Sequence, residues 1–157
     1  MSYKNSRHLT ITWPKYFSYE ASDSEKDKKE FFSQDHPHSA VNDENSIFKG
    51  KIAWDVFVCA MAIGKKLNIR KPLKKGSKSI PIDAAKENHI IAMLGLIFSM
   101  DDTDLDILNE PDEIRNICEE YANAGAELLL EWKRDSSTDD PLSEIKKEFE
   151  KYVNNSD

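Results

Sequence analysis

From Lys51 to Leu67 apolar side chains recur at three- and four-residue steps: Ile52, Val56, Cys59, Ala60, Ile63 and Leu67. That spacing predicts a helix. Trp54, Phe57, Val58 and Met61 widen its apolar face until it nearly encircles the axis, which marks a central helix. Gly64 stands near its end, where glycine weakens a helix and accompanies termination. Lys65 and Lys66 follow in the last turn, facing the negative end of the dipole. A second apolar run, Ile90, Ile91, Met93, Leu94, Leu96, Ile97 and Phe98, predicts another buried helix, with Asp83 as its candidate cap. A third begins at Asn109-Glu-Pro-Asp-Glu113. Proline in the first turn and acids at the positive end of the dipole are strong start signals. Its apolar positions, Ile114, Ile117, Cys118, Tyr121, Ala122, Gly125, Leu128, Leu129 and Trp132, carry it to about Lys133. Asp140-Pro141 opens a last, weaker amphipathic helix to Val153, with Leu142, Ile145, Phe149 and Tyr152 on one stripe.

The first 46 residues read differently. His8–Trp13 alternates apolar and polar residues before Pro14, the pattern of a short strand or extended arm. Ser22 and Glu25 have capping-box spacing for a short helix reaching Phe32. Ser33–Ser46 is a polar connector. Its His36-Pro37-His38 lacks a third ligand at metal spacing, so a solvated loop is the better reading. The organisation is therefore an N-terminal arm and connector over 1–46, a helical core domain over 47–134 and an amphipathic helix over 135–157. The fold class is all-α, a small bundle of about four helices with a short extended N-terminal arm.

Charge changes this picture most between Lys65 and Lys78. Seven of these fourteen residues, K-K-L-N-I-R-K-P-L-K-K-G-S-K, are basic and none is acidic, in a chain of net charge −7. Pro72, Gly76 and Pro81 exclude a regular helix across the segment. It reads as an ordered loop pinned by Ile69, Leu73 and Ile80. Residues 1–46 carry six basic and eight acidic side chains, 47–100 ten and three, and 101–157 six and eighteen. The basic middle and acidic end are more informative than the mean. Lys65, Lys66, Arg70, Lys71, Lys74, Lys75 and Lys78 are the candidate contacts for a nucleic-acid phosphate backbone, where each neutralised phosphate releases counterion. An acidic partner protein, or this chain's own acidic third, fits the same charge. With no aromatic residue inside the cluster, duplex backbone contact is favoured over single-strand stacking.

Composition bounds the rest. Hydrophobic residues make up 39% and charged residues 32% of 157 residues, which points to a modest core with long polar segments. The N-terminus lacks a signal-peptide apolar region, and the longest apolar run is too short to span a bilayer. The expected setting is the cytoplasm, with Cys59 and Cys118 as reduced thiols. No nucleophile elbow, phosphate loop, dinucleotide fingerprint or H-E-x-x-H occurs. His89 and Cys59 sit in no nucleophile motif. Asp101–Asp106 has Asp106 where a calcium loop needs glycine and Asp112 where it needs glutamate. It reads as a solvated acidic connection. No catalytic residue, metal or cofactor is expected. Tyr121, Ala122 and Gly125 fall on one face of the third helix, with Asn123 on its side, a packing or interface surface.

Three segments, D-V-F-V-C-A-M-A-I-G (55–64), R-K-P-L (70–73) and E-Y-A-N-A-G (120–125), together resemble a small family, Dnd system-associated protein 4. The resemblance covers roughly residues 48–131. Lys-Lys-Leu-Asn-Ile stands before Arg-Lys-Pro-Leu where the family more usually has Gly or Arg. The resemblance implies a place beside bacterial DNA phosphorothioation and restriction genes, hence in phage defence, and carries over no catalytic residue. The expected function is that of a non-enzymatic accessory or adaptor protein of such a system. Its partners would be proteins of the defence complex and duplex DNA, with no membrane. The alternative is a purely protein-binding subunit using its acidic helical face.

Overall fold

The computed structural model describes residues 14–18, 41, 48–73, 79–101, 103–135, 147, 150 and 151. The elements run β1 (Tyr16–Ser18), α1 (Ala53–Lys66), β2 (Ser79–Pro81), a 3-10 turn (Ile82–Ala84), α2 (Glu87–Phe98), a second 3-10 turn (Leu105–Asn109) and α3 (Pro111–Asp135). The described protein is thus mostly helical, with three helices and a two-stranded antiparallel sheet. The expected fourth helix falls largely outside the described residues. Only Lys147, Glu150 and Lys151 of it are described, helical and exposed. The expected strand at His8–Trp13, the 22–32 helix and the His36/His38 connector also lie outside.

The α1–α3 pair forms the centre. Trp54, Val56, Phe57, Ala60, Met61 and Ile63 of α1 are buried against Ile114, Ile117, Cys118, Tyr121, Ala122 and Leu129 of α3. Two glycines set how closely the backbones pass. A Cβ at Gly64 would lie 2.9 Å from the Tyr121 carbonyl carbon, and one at Gly125 would lie 2.6 Å from that of Ala60. Both are below any real side-chain contact, so each position admits only glycine without a backbone shift. Gly64 therefore serves packing, and α1 ends otherwise. Asn68 takes the left-handed conformation, φ 53. Ile69 N–H donates to Gly64 O (2.9 Å) and Asn68 N–H to Lys65 O (3.0 Å). This is a Schellman ending with Asn in the role usually taken by Gly.

The sheet is the part of the fold that periodicity missed. Phe17 pairs with Ile80, and both are buried. Phe17 meets Trp54 edge-on at 5.3 Å and Phe57 at 5.9 Å. The Trp54 indole N–H donates to Pro81 O at 2.9 Å, which fixes β2 on α1. Ile80 is the pin the sequence predicted. Leu73 is half-buried, and Ile69 is exposed, so it pins nothing.

Helix α2 departs from expectation. Only His89, Met93, Leu96 and Ile97 are buried, while Ile91 and Phe98 face outward. The chain packs one side of this helix, although its sequence is apolar nearly all round. Asp83 lies in the 3-10 turn and does not cap α2. The cap is made from inside. Lys86 N–H donates to His89 Nδ1 (2.9 Å), as Ile52 N–H donates to Asp55 Oδ2 (2.8 Å) at the start of α1. At its far end, Thr103 Oγ1 donates to Ile97 O (3.0 Å) and Met100 O (3.1 Å), and Ser99 Oγ to Leu96 O (2.7 Å). Among the described residues no helix is long and apolar enough to cross a membrane.

Candidate functional site

The basic segment leaves α1 through the Schellman turn and crosses directly onto α3. Arg70 Nε donates to Glu120 Oε2 at 2.6 Å, with a second guanidinium nitrogen at 2.5 Å. Lys71 Nζ pairs with Glu127. The backbone joins too: Lys71 N–H donates to Glu120 O at 3.1 Å. Asn123 Nδ2 donates to both Lys71 O and Pro72 O at 3.2 Å. Arg70 Cζ lies 5.6 Å and Lys65 Nζ 5.8 Å from the centre of the buried Tyr121 ring, within reach of a cation–π attraction. R-K-P-L and E-Y-A-N-A-G are therefore two halves of one clamp, and A-I-G supplies the glycine beneath it.

This arrangement sorts the candidate residues. Arg70 and Lys71 are engaged by α3. Lys65 lies over Tyr121. Lys66 is exposed and has no ion-pair partner among the described residues. Lys74, Lys75 and Lys78 lie outside the described residues. Tyr121 and Gly125 both pack within the chain, Tyr121 under the basic segment and Gly125 against α1. Asn123 anchors the loop backbone. Glu120 and Glu127, which hold Arg70 and Lys71, are the clamp residues that the sequence reading did not single out as partners. Their signal was present: two glutamates seven positions apart on α3, flanking Asn123, and so on one helical face.

His89 is fully occupied. Its Nδ1 accepts Lys86 N–H, so the proton sits on Nε2 and is donated to Asp55 Oδ1 at 2.9 Å. The ring is 1% exposed and stacked on Trp54 at 6.0 Å. Both ring nitrogens are used to close helix starts, which leaves none facing a substrate or Cys59. Burial pushes the Asp55 carboxyl upward, but the Ile52 N–H and the His89 hydrogen bond outweigh it and hold Asp55 below its ordinary 3.8. Burial raises the thiols, Cys59 to about 11 and Cys118 to about 12, so neither is a thiolate nucleophile at neutral pH. In the acidic connection, Asp104 Oδ1 accepts Asp106 N–H at 3.2 Å. Among the described residues no group of three or more His, Cys, Asp or Glu is placed to hold a metal ion.

The model of one protein family, described as DNA sulphur modification system-associated protein 4, matches residues 25–155. The chain belongs to this family. Its name places members with a DNA sulphur modification system. The match extends beyond the three motifs on both sides, taking in much of the polar N-terminal segment and nearly all of the tail. The three segments that carried the resemblance are the ones that meet at the α1–α3 crossing and the clamp. Neither the curated proteins nor the solved structures include a match.

Proposed function

We propose that the chain is a non-enzymatic, cytoplasmic accessory protein of a bacterial DNA sulphur modification and phage-defence system, and that it acts as an adaptor by holding another protein. Family membership supports the setting. The observation that carries the adaptor role is the outer face of α2. The inner face of this helix is buried in a filled core, yet Ile91 and Phe98 remain exposed. An exposed apolar stripe on a domain this small marks a contact surface. Co-expression of the tagged protein with the proteins of its own modification locus tests the reading. A stable complex is expected, and a protein that purifies alone as a monomer overturns it.

A second reading has an observation of its own. Arg70 and Lys71 are tied to α3 and Ile80 is tied into the sheet, so the described residues on either side of 74–78 are both anchored. Lys66, Lys74, Lys75 and Lys78 then become the cations offered to DNA phosphate, while Arg70 and Lys71 hold the segment in place. Lys74→Glu/Lys75→Glu should weaken duplex binding about tenfold or more, and log affinity of the unmodified protein should fall linearly with log salt. No salt-dependent duplex binding by the intact protein rules this reading out.

A further inference from the structure

We propose that the outer face of α2 is the docking site for a basic amphipathic helix of a partner protein. This rests on the adaptor reading and names the chemistry of what is held.

The surface has a defined shape. Ile91 and Phe98 stand seven residues apart, about two helical turns or ~10 Å, and are 61% and 49% exposed. Leu105, 68% exposed, is a further outward apolar residue in the 3-10 turn after α2, where Thr103 folds the chain back onto Ile97 O. Between the two α2 anchors lies Gly95, where an added Cβ would meet nothing within 4 Å. A helix laid on this strip can approach the α2 backbone closely there, as α3 approaches α1 at Gly64.

Charge selects the occupant. From Glu87 to Ile114 the chain carries eight carboxylates and no Lys or Arg. Glu87 precedes the strip on the same side of α2, Asp101 follows Phe98, and Asp104 and Asp106 flank Leu105, all exposed. The C-terminal end of α2 adds its negative dipole. A second copy of this chain, docked face to face, would set acidic rim against acidic rim, and an anionic lipid surface would be repelled. An apolar seam with lysines and arginines on its flanks satisfies both the strip and its rim.

The test uses the full chain and a synthetic amphipathic peptide of about 18 residues, with leucine at i, i+3, i+4, i+7 spacing and lysine elsewhere. A matched peptide carries glutamate for lysine. The lysine peptide is expected to bind, to slow hydrogen exchange across residues 90–99, and to weaken with salt. Ile91→Ser/Phe98→Ser should cut affinity about tenfold or more. Asp101→Lys/Asp106→Lys, both at exposed positions, should do the same and leave the apolar strip in place, since Asp104, whose side chain accepts Asp106 N–H, is kept. The proposal is overturned if the lysine peptide does not bind, if the glutamate peptide binds equally, or if neither set of substitutions matters. Two further outcomes also overturn it. One is an isolated protein whose 90–99 amides are already protected and lose protection when residues 136–157 are removed, which makes the tail the occupant. The other is a dimer abolished by Ile91→Ser/Phe98→Ser, which makes a second copy the occupant. If the native complex forms and survives Ile91→Ser/Phe98→Ser, the adaptor reading stands and this inference alone falls.

Discussion

At Gly125 the Ala60 backbone occupies the space where any side chain would begin, and at Gly64 the Tyr121 backbone does the same. Gly64→Ala or Gly125→Ala must push α1 and α3 apart. Each should cost about 1–3 kcal/mol, the range for overpacking a filled interior, read as a lower melting temperature. Gly95→Ala should have the opposite sign. Its Cβ meets nothing, and alanine gains up to ~1 kcal/mol of helix propensity. If α2 docks a partner as proposed, the same change should raise stability and lower affinity. Asp55 allows a second test at this scale. Its folded-state pKa lies below the ordinary 3.8. The stability it contributes is therefore fully present above that value and is lost as pH falls through the folded one. Asp55→Asn should lower stability at neutral pH by about 1–3 kcal/mol, the scale of a charged hydrogen bond. It should also flatten the fall in stability at acid pH. An unchanged acid limb in chemical denaturation would contradict this assignment.

Between elements, the clamp of the basic segment on α3 divides into a strong part and a weak one. Asn123 is buried and satisfies two backbone carbonyls. Asn123→Ala leaves both without their donor and should cost about 1–3 kcal/mol, with faster hydrogen exchange at Ile69–Leu73. The Arg70 and Glu120 side chains are 39% and 25% exposed. Arg70→Ala should cost below about 1 kcal/mol, and less as salt rises. Phe17→Ala, which empties the aromatic cluster beneath the sheet, should cost about 3–5 kcal/mol. Helices were readable in advance because each repeats one period over many residues. The start of α3 at Pro111 and the buried stripe from Ile114 to Leu129 follow directly from that period. The sheet was not readable: β1 and β2 have three residues each and too little alternation to show, and β2 hides at the end of a lysine-rich run. The exposed side of α2 was not readable either, because a helix apolar all round does not say which face its own chain will cover. The clamp was half readable. Its motifs stood out, but that they meet each other depends on α3 passing close to α1, which two glycines decide.

Across the whole molecule, the two thiols report on cooperativity. Cys118 is buried on α3, so the central pair must open to release it, whereas Cys59 on α1 is only partly buried. With thiols raised to about 11 and 12, native protein at neutral pH should react slowly with a disulfide reagent. Above the unfolding midpoint in denaturant both should react quickly. If Cys118 reacts well below the unfolding midpoint, the central pair opens locally rather than with the whole domain. The charge partition also acts at this scale. Two of the cations in the basic middle are already matched by the acidic third through Glu120 and Glu127. The remaining acidity lies in the connection after α2, along α3 and in the sequence that follows it.

The crossing of α1 and α3 also orders events in time. Arg70 and Glu120 are 50 positions apart, and Trp54 and Pro81 are 27 apart. On a translating ribosome α1 emerges well before α3, the helix that covers it. In between, α1 can shelter only under Phe17, the short sheet and the inner face of α2. Loop closure must be completed across most of the domain before the central contacts form. The nascent chain therefore carries an incompletely covered apolar helix until α3 has emerged, a state exposed to chaperones and to aggregation.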